Sequence, residues 1–321
     1  MRLPNPEFWE GKRVFVTGAR GFKGKWLVIW LEKMGAIIET NDTFDIRDTQ
    51  SMHMLFEKFA PEIVIHMAAI STVQQAFENP ILAVDVNTLG TLSVLEALRD
   101  IKSVKAILNV TTDKVYHMEG IDRGYTENDP LGGLEIYAAS KVCSEILSQV
   151  YTKTFNFPLV TARAGNVIGG GDWKKSRLIP NYYFASIEGN TLDVNNNAVR
   201  PWQYVLDCLC GYLLLCERLY ANNAYKGSWN FASDEFESRS VQWVVDEMNN
   251  YFLNPVKYNL IEDRGYYETK VLKINSEKAQ KVLKWEPKYT IEEAVARTAY
   301  WYMEYMRGQP LEYLHEQEIC A

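Results

Sequence analysis

From residue 13 to about residue 163, short β-branched apolar runs alternate with longer segments of helical period. The runs lie at 13–17, 36–40, 63–67, 106–110 and 159–163, and the helical segments at about 22–34, 49–59, 80–100 and 139–154. Four helices joining five strands predict an α/β fold with a Rossmann-type doubly wound parallel sheet. Past residue 163 the pattern loosens. Glycines and polar residues fill 165–173, Asn-rich chain spans about 190–198, and helical period returns at about 205–220, 240–251, 276–283 and 291–306. Residues 1–165 are expected to form mainly the doubly wound domain and 166–321 mainly a smaller mixed α/β domain, with the chain free to cross between them. Without an internal repeat or a Pro/Ser linker, the two parts are expected to pack tightly around a cleft.

The 321 residues are 47% hydrophobic and 23% charged, enough to bury a full core, and no run nears the roughly 20 apolar residues of a membrane span. The first ten residues contain no apolar run, so they do not read as a secretion signal, and a cytoplasmic location is expected. Thirty-four Lys+Arg against 41 Asp+Glu give a net charge of −7, with the basic residues scattered, which argues against nucleic acid as a partner. Any anionic ligand must then be caught by local geometry. Five cysteines, without a C-x-x-C pair, argue against a metal site or disulfide framework; Cys208, Cys210 and Cys216 fall in an apolar run and read as core thiols.

Candidate chemistry begins right after the first strand. Gly18, Gly21 and Gly24, with Phe22 between the last two, form a G-x-x-G-x-x-G run that leads into a helix. In that context glycines let backbone approach a pyrophosphate seated on the helix amino terminus, so a dinucleotide site is expected. Glu39 and Asp42 are available to bond an adenosine ribose, which would favour NAD over NADP. Asp45 and Ile46 are candidates for the adenine edge, and Ala68 and Ala69 are small enough to let the cofactor pass. His66 reads as a core histidine.

Tyr137 and Lys141 stand four apart at a predicted helix start and so share a face. An ammonium there, with a positive nicotinamide ring, can lower the phenol pKa so that Tyr137 removes a sugar hydroxyl proton as hydride leaves the carbon. Thr111-Thr112-Asp113-Lys114 ends the fourth strand, where open α/β sheets place their ligands.

With these stretches and Arg163-Ala164-Gly165-Asn166-Val167-Ile168-Gly169-Gly170-Gly171-Asp172-Trp173, the chain resembles the extended short-chain dehydrogenases/reductases, and within them the CDP-glucose 4,6-dehydratases, over nearly its whole length. The resemblance implies oxidation of a nucleotide sugar at C4 by NAD, loss of water across C5 and C6, and return of hydride to C6. It implies that Thr112 bonds the C4 hydroxyl, that Tyr137 is the C4 base with Lys141 tuning it, and that Asp113 protonates the leaving C6 hydroxyl. Lys114 stands where most 4,6-dehydratases carry a Glu base; here it is either the C5 base or an electrostatic stabiliser of the enolate. Asn166 would contact the sugar nucleotide. Arg177 and Arg200 are candidates for its pyrophosphate, or surface arginines, and Trp173 and Trp202 either wall the pocket or pack the core. A homodimer or dimer of dimers is implied through the helices near 80–100 and 139–154, which carry more apolar residues than one core-facing stripe needs.

The chain departs from the pattern at a short segment after residue 40, at Gln74, Ala76 and Tyr204, and at Gly265-Tyr266-Tyr267-Glu268. These departures leave NADP, a changed nucleotide and a different sugar open. A 4-epimerase or 4-keto-reductase on the same fold is the competing reading, and it needs neither Asp113 nor Lys114. A non-catalytic dinucleotide sensor would typically lack Tyr137 or Lys141.

Overall fold

The computed structural model describes residues 2–41, 44–118, 123–195, 198–233, 238–262 and 272–320. Among them six parallel strands form the central sheet: β1 (Arg13–Thr17), β2 (Ile37–Thr40), β3 (Ile63–His66), β4 (Ala106–Val110), β5 (Leu159–Ala164) and β6 (Gly227–Phe231). Their spatial order is β6-β5-β4-β3-β1-β2. β3, β4 and β5 are buried at every position, as interior strands covered on both faces must be, whereas the edge strand β2 exposes alternate residues. The order reverses between β1 and β3, so the carboxyl ends of these strands border the crevice of the sheet.

Side chains alternate between two cores. Val14, Val16, Ile63, Ile65 and Leu108 pack on one face with Trp26, Leu27 and Leu31 of α1 (Phe22–Lys33). Phe15, Val64, Ile107 and Leu159 pack on the other with α2 (Thr49–Phe59), α3 (residues 80–97) and α4 (Ile136–Thr154). Within α3 a π turn at Asp85–Leu89 separates Pro80–Val84 from Gly90–Ala97.

All five expected strands lie in the sheet. The sixth, Gly227–Phe231, comes from beyond residue 165, so the chain crosses back; its apolar side chains, Trp229 and Phe231, give too short an alternation to read as a strand. α4 starts three residues before the expected 139, because Glu135 caps it by accepting from the backbone N–H of Tyr137 at 2.6 Å and of Ala138 at 2.9 Å. Tyr137 therefore lies in the first turn.

Beyond β5 come α5 (Leu178–Glu188), α6 (Val205–Ala221), α7 (Val241–Asn249), α8 (Ile291–Met306) and α9 (Leu311–Cys320). α5 and α9 are additions to the expected helices, and the segment expected at 276–283 is a π turn at Ala279–Leu283. Among the described residues of this half, three short strand pairs form: Val167–Ile168 with Gln203–Tyr204, Leu192–Asn195 with Tyr258–Ile261, and Val199–Arg200 with Arg239–Ser240. The apolar α6 carries Cys208, Cys210 and Cys216, all buried, as core thiols.

Candidate active site

A cavity of about 570 Å³ opens at the carboxyl end of the sheet, between the glycine turn and the second half of the chain. Gly18 has a φ of +73°, and a Cβ there would meet the Ala68 backbone nitrogen at 2.7 Å; a Cβ on Gly24 would meet the Gly18 carbonyl oxygen at 2.3 Å. These two glycines let β1, β3 and α1 close on one another, while Gly21, which caps α1 and is exposed, faces the cavity with Phe22. Thr17 fixes the approach: its Oγ1 accepts from the N–H of Met67 at 3.1 Å and of Ala68 at 3.2 Å and pairs with His66 Nδ1 at 2.7 Å. His66 is buried, and burial pushes its pKa down to about 3, so it is a neutral core histidine. Ala68 and Ala69 line the cavity.

The adenosine side differs from the residues singled out for it. Ile46 is a core residue packed with α2 and α3, and Asp45 is paired with Arg47 at 2.7 Å; neither lines the cavity. Glu39 is exposed and accepts from the Thr40 N–H. Asp42 and residues 265–268 lie outside the described residues. Asn41, which sequence reasoning missed, receives the Gly18 N–H on its Oδ1 at 3.3 Å. Its position directly after a strand expected to end beside the glycine turn was the available signal.

Thr112, Asp113, Lys114, Tyr137 and Lys141 all line the cavity. β4 delivers the first three, with Thr112 capping a turn at Asp113–Val115, and α4 delivers the other two. Thr112 donates to Asp113 Oδ1 at 3.0 Å, and its side chain pulls the Tyr137 pKa down. Asp113 is 3% exposed and its Oδ2 has no hydrogen-bond partner. Burial raises its pKa against the pull of Lys114, Thr112 and Arg200, which favours the protonated acid. Lys114 also faces the Glu135 carboxylate, which burial pushes up and Lys114 pulls down.

Burial pushes the Tyr137 phenol up to about 12 against the pull of Thr112 and Arg177. The Lys141 ammonium donates to the Val110 carbonyl at 3.0 Å, and burial, then the charge of Lys23, lower its pKa to about 7 against the pull of Glu145.

The opposite wall carries Asn166, Arg177 and Arg200. Arg200 is 2% exposed and donates to the Val199 carbonyl at 2.9 Å, so it is not a surface arginine. Arg177 bridges the two halves of the chain, donating to Asp172 Oδ2 at 2.9 Å and to Ser71 Oγ at 2.8 Å. Trp202 lines the cavity, whereas Trp173 packs among Tyr183, Trp301, Tyr302 and Tyr305. Tyr204 lies in the core and donates to Glu318 Oε2 at 2.8 Å, anchoring α9. Gln74 does line the cavity.

A family model described as GDP-mannose 4,6 dehydratase matches residues 37–298. A CDP-glucose 4,6-dehydratase of Salmonella typhimurium is 36% identical over 97% of this chain and 96% of its own length. A dTDP-glucose 4,6-dehydratase of Xanthomonas campestris is 27% identical over 81% of this chain and 77% of its own. Among solved structures, an epimerase of Methanothermobacter thermautotrophicus superposes with a TM-score of 0.85 at 25% identity, covering 94% of this chain and 95% of that one. The dTDP-glucose 4,6-dehydratase of Bacillus anthracis in complex with NAD superposes at 0.77 with 21% identity, over 92% and 97%, a likeness of fold alone. The match of the family model over most of the chain, with the near full-length 36% relative, shows that the chain belongs to the GDP-mannose 4,6 dehydratase family, within the extended short-chain dehydrogenases/reductases.

Proposed function

We propose that the chain is an NAD-dependent nucleoside-diphosphate-sugar 4,6-dehydratase acting on CDP-glucose. The observation that carries the reading is the buried acid Asp113, with a free carboxyl oxygen, set between Thr112 and Lys114 and facing the cavity with Tyr137. A 4-epimerase or 4-keto-reductase has no use for such an acid. The near full-length likeness to a CDP-glucose 4,6-dehydratase supports both the reaction and the nucleotide.

The residues fit a dinucleotide: the cradle at Gly18 and Gly24 admits backbone only, and Gly21, Phe22, Ala68 and Ala69 face the cavity. NAD held by these residues would supply hydride transfer, accepting hydride from C4 and giving it back at C6 with no net change of the cofactor. Tyr137 takes the C4 hydroxyl proton, and its neighbour Thr112 holds that hydroxyl. Lys141, four residues along the same face, would serve the ribose and tune the phenol. Asp113 gives its proton to the leaving C6 hydroxyl. Lys114, on the cavity wall beside Asp113, takes the C5 proton or stabilises the enolate electrostatically. Asn166, Arg177 and Arg200 bind the nucleotide sugar, the guanidinium groups facing its diphosphate. Residues 1–165 thus serve mainly the cofactor and 166–321 mainly the sugar nucleotide.

The exposed apolar residues Ile81, Val84 and Leu89 of α3 lie on the packed helix pair that also exposes Ile146 and Val150 of α4. They support a homodimer, or a dimer of dimers, through these two helices. Among the described residues no helix is long and apolar enough to cross a membrane. Free cysteines suit a reducing compartment, and we place the enzyme in the cytoplasm.

Incubation with a panel of nucleoside-diphosphate sugars, read by mass spectrometry, tests the proposal. CDP-glucose is expected to lose one water without net reduced cofactor. Conversion of a panel member to an isomer of equal mass, or a change of two hydrogens, would replace the dehydratase by an epimerase or reductase.

A further inference from the structure

We infer that Ser71 and Asp172 are positioning residues for the sugar nucleotide: rooted on opposite sides of the cleft, they hold Arg177 stretched across it, with its remaining N–H groups left for the diphosphate. The inference rests on the role proposed for Arg177.

Arg177 stands directly before α5, and its side chain lines the cavity while staying half-buried. An arginine free to wander loses rotamer freedom whenever it grips an anion, whereas one held in advance has lost it on folding. Both anchors of Arg177 are themselves fixed. Asp172 is buried; its Oδ1 accepts from the Lys174 N–H at 3.2 Å, and its carbonyl accepts from the Tyr302 hydroxyl at 2.6 Å. Two residues back, the Gly170 carbonyl accepts from the Trp26 indole N–H at 2.9 Å. Ser71, on the exposed rim, follows Ile70, whose N–H and carbonyl are both taken by the buried Asn87 side chain, at 2.8 and 3.0 Å. Asn87 lies in the π turn of α3 and also donates to Ser140 Oγ at 2.9 Å, so the same side chain ties the Ser71 loop to the turn that carries Tyr137. The guanidinium gives one N–H to each anchor. Arginine has five such donors, so the others are left to meet an anion.

Calorimetric titration of the NAD+-loaded protein with CDP tests the inference. Arg177→Met is expected to raise the dissociation constant about thirtyfold, as loss of a charge-assisted contact implies. Asp172→Asn, whose amide has one acceptor oxygen for the two donors that Asp172 serves, is expected to raise it about fivefold, and Ser71→Ala, which removes an exposed bond, about threefold. Ser71→Thr keeps the hydroxyl and is expected to restore the parent value. In the Arg177→Met background the effects of Asp172→Asn and Ser71→Ala are expected to vanish, because they act only through the guanidinium. Losses that persist undiminished in that background overturn the inference, since Ser71 and Asp172 would then touch the ligand or serve the fold. Unchanged or tighter binding in the single variants also overturns it; tighter binding would make the anchors competitors of the diphosphate. A parent that binds UDP, GDP or dTDP in place of CDP overturns the CDP-glucose reading alone, and the comparison is then made with that nucleotide. A parent that binds none of the four overturns both.

Discussion

Burial raises the pKa of Asp113, which favours the acid that the proposed proton transfer to a leaving hydroxyl needs. Asp113→Asn is expected to slow water loss by roughly a hundredfold or more while C4 oxidation continues. Reduced cofactor then accumulates in stopped-flow absorbance, and an unaltered trace would remove Asp113 from the chemistry. Lys141 allows a test of electrostatics without substrate. Its pKa falls from the usual 10.5 to about 7 on folding, so between those values the unfolded chain binds more protons and stability rises with pH. Its contribution is complete above pH 10.5, declines as the pH falls, and is lost below about 7. Lys141→Met removes that rise. Chemical denaturation is expected to show the stability of the parent relative to the variant growing by about 2 kcal/mol from pH 7 to pH 9.

At the scale of elements, the buried pair of Arg163 and Glu145, at 2.9 Å, ties β5 to α4, with Thr111, Thr161, Tyr116 and Ser228 completing its hydrogen bonds. Glu145→Gln leaves the guanidinium buried without its counter-charge and is expected to cost about 3 kcal/mol, read as a lower denaturant midpoint. Arg163 opens the stretch through Trp173 that carries the family resemblance, yet it serves the scaffold, while Asn166 three residues on serves the cavity. Sequence alone marks both without sorting them, because the sorting depends on which side of the sheet each side chain leaves. The glycine turn and the first five strands were legible because each depends on neighbours in sequence. The cap by Glu135 was not, since an acidic residue before a helix looks the same whether or not it bonds the first turn. β6 and the contact of Arg177 with Ser71 were hidden for another reason: they pair residues separated by more than 60 positions.

For the molecule as a whole, a sheet covered on both faces leaves the carboxyl ends of its strands open, and the second half of the chain converts that end into a cavity. Among the large apolar side chains left exposed, Ile81, Val84 and Leu89 lie on α3 and Ile136, Ile146 and Val150 on α4. Ile81→Asp combined with Ile146→Asp changes two exposed side chains, so the fold is expected to survive while light scattering reports half the parent mass. A parent that is already monomeric would contradict the assembly. The central claim is that one chain moves a hydride from C4 to C6 of the same sugar. Its most direct test is CDP-glucose carrying deuterium at C4, followed by mass spectrometry and NMR of the product. The account predicts loss of one water with deuterium at C6 and no net reduced cofactor. Deuterium retained at C4 in a product of unchanged mass would contradict it.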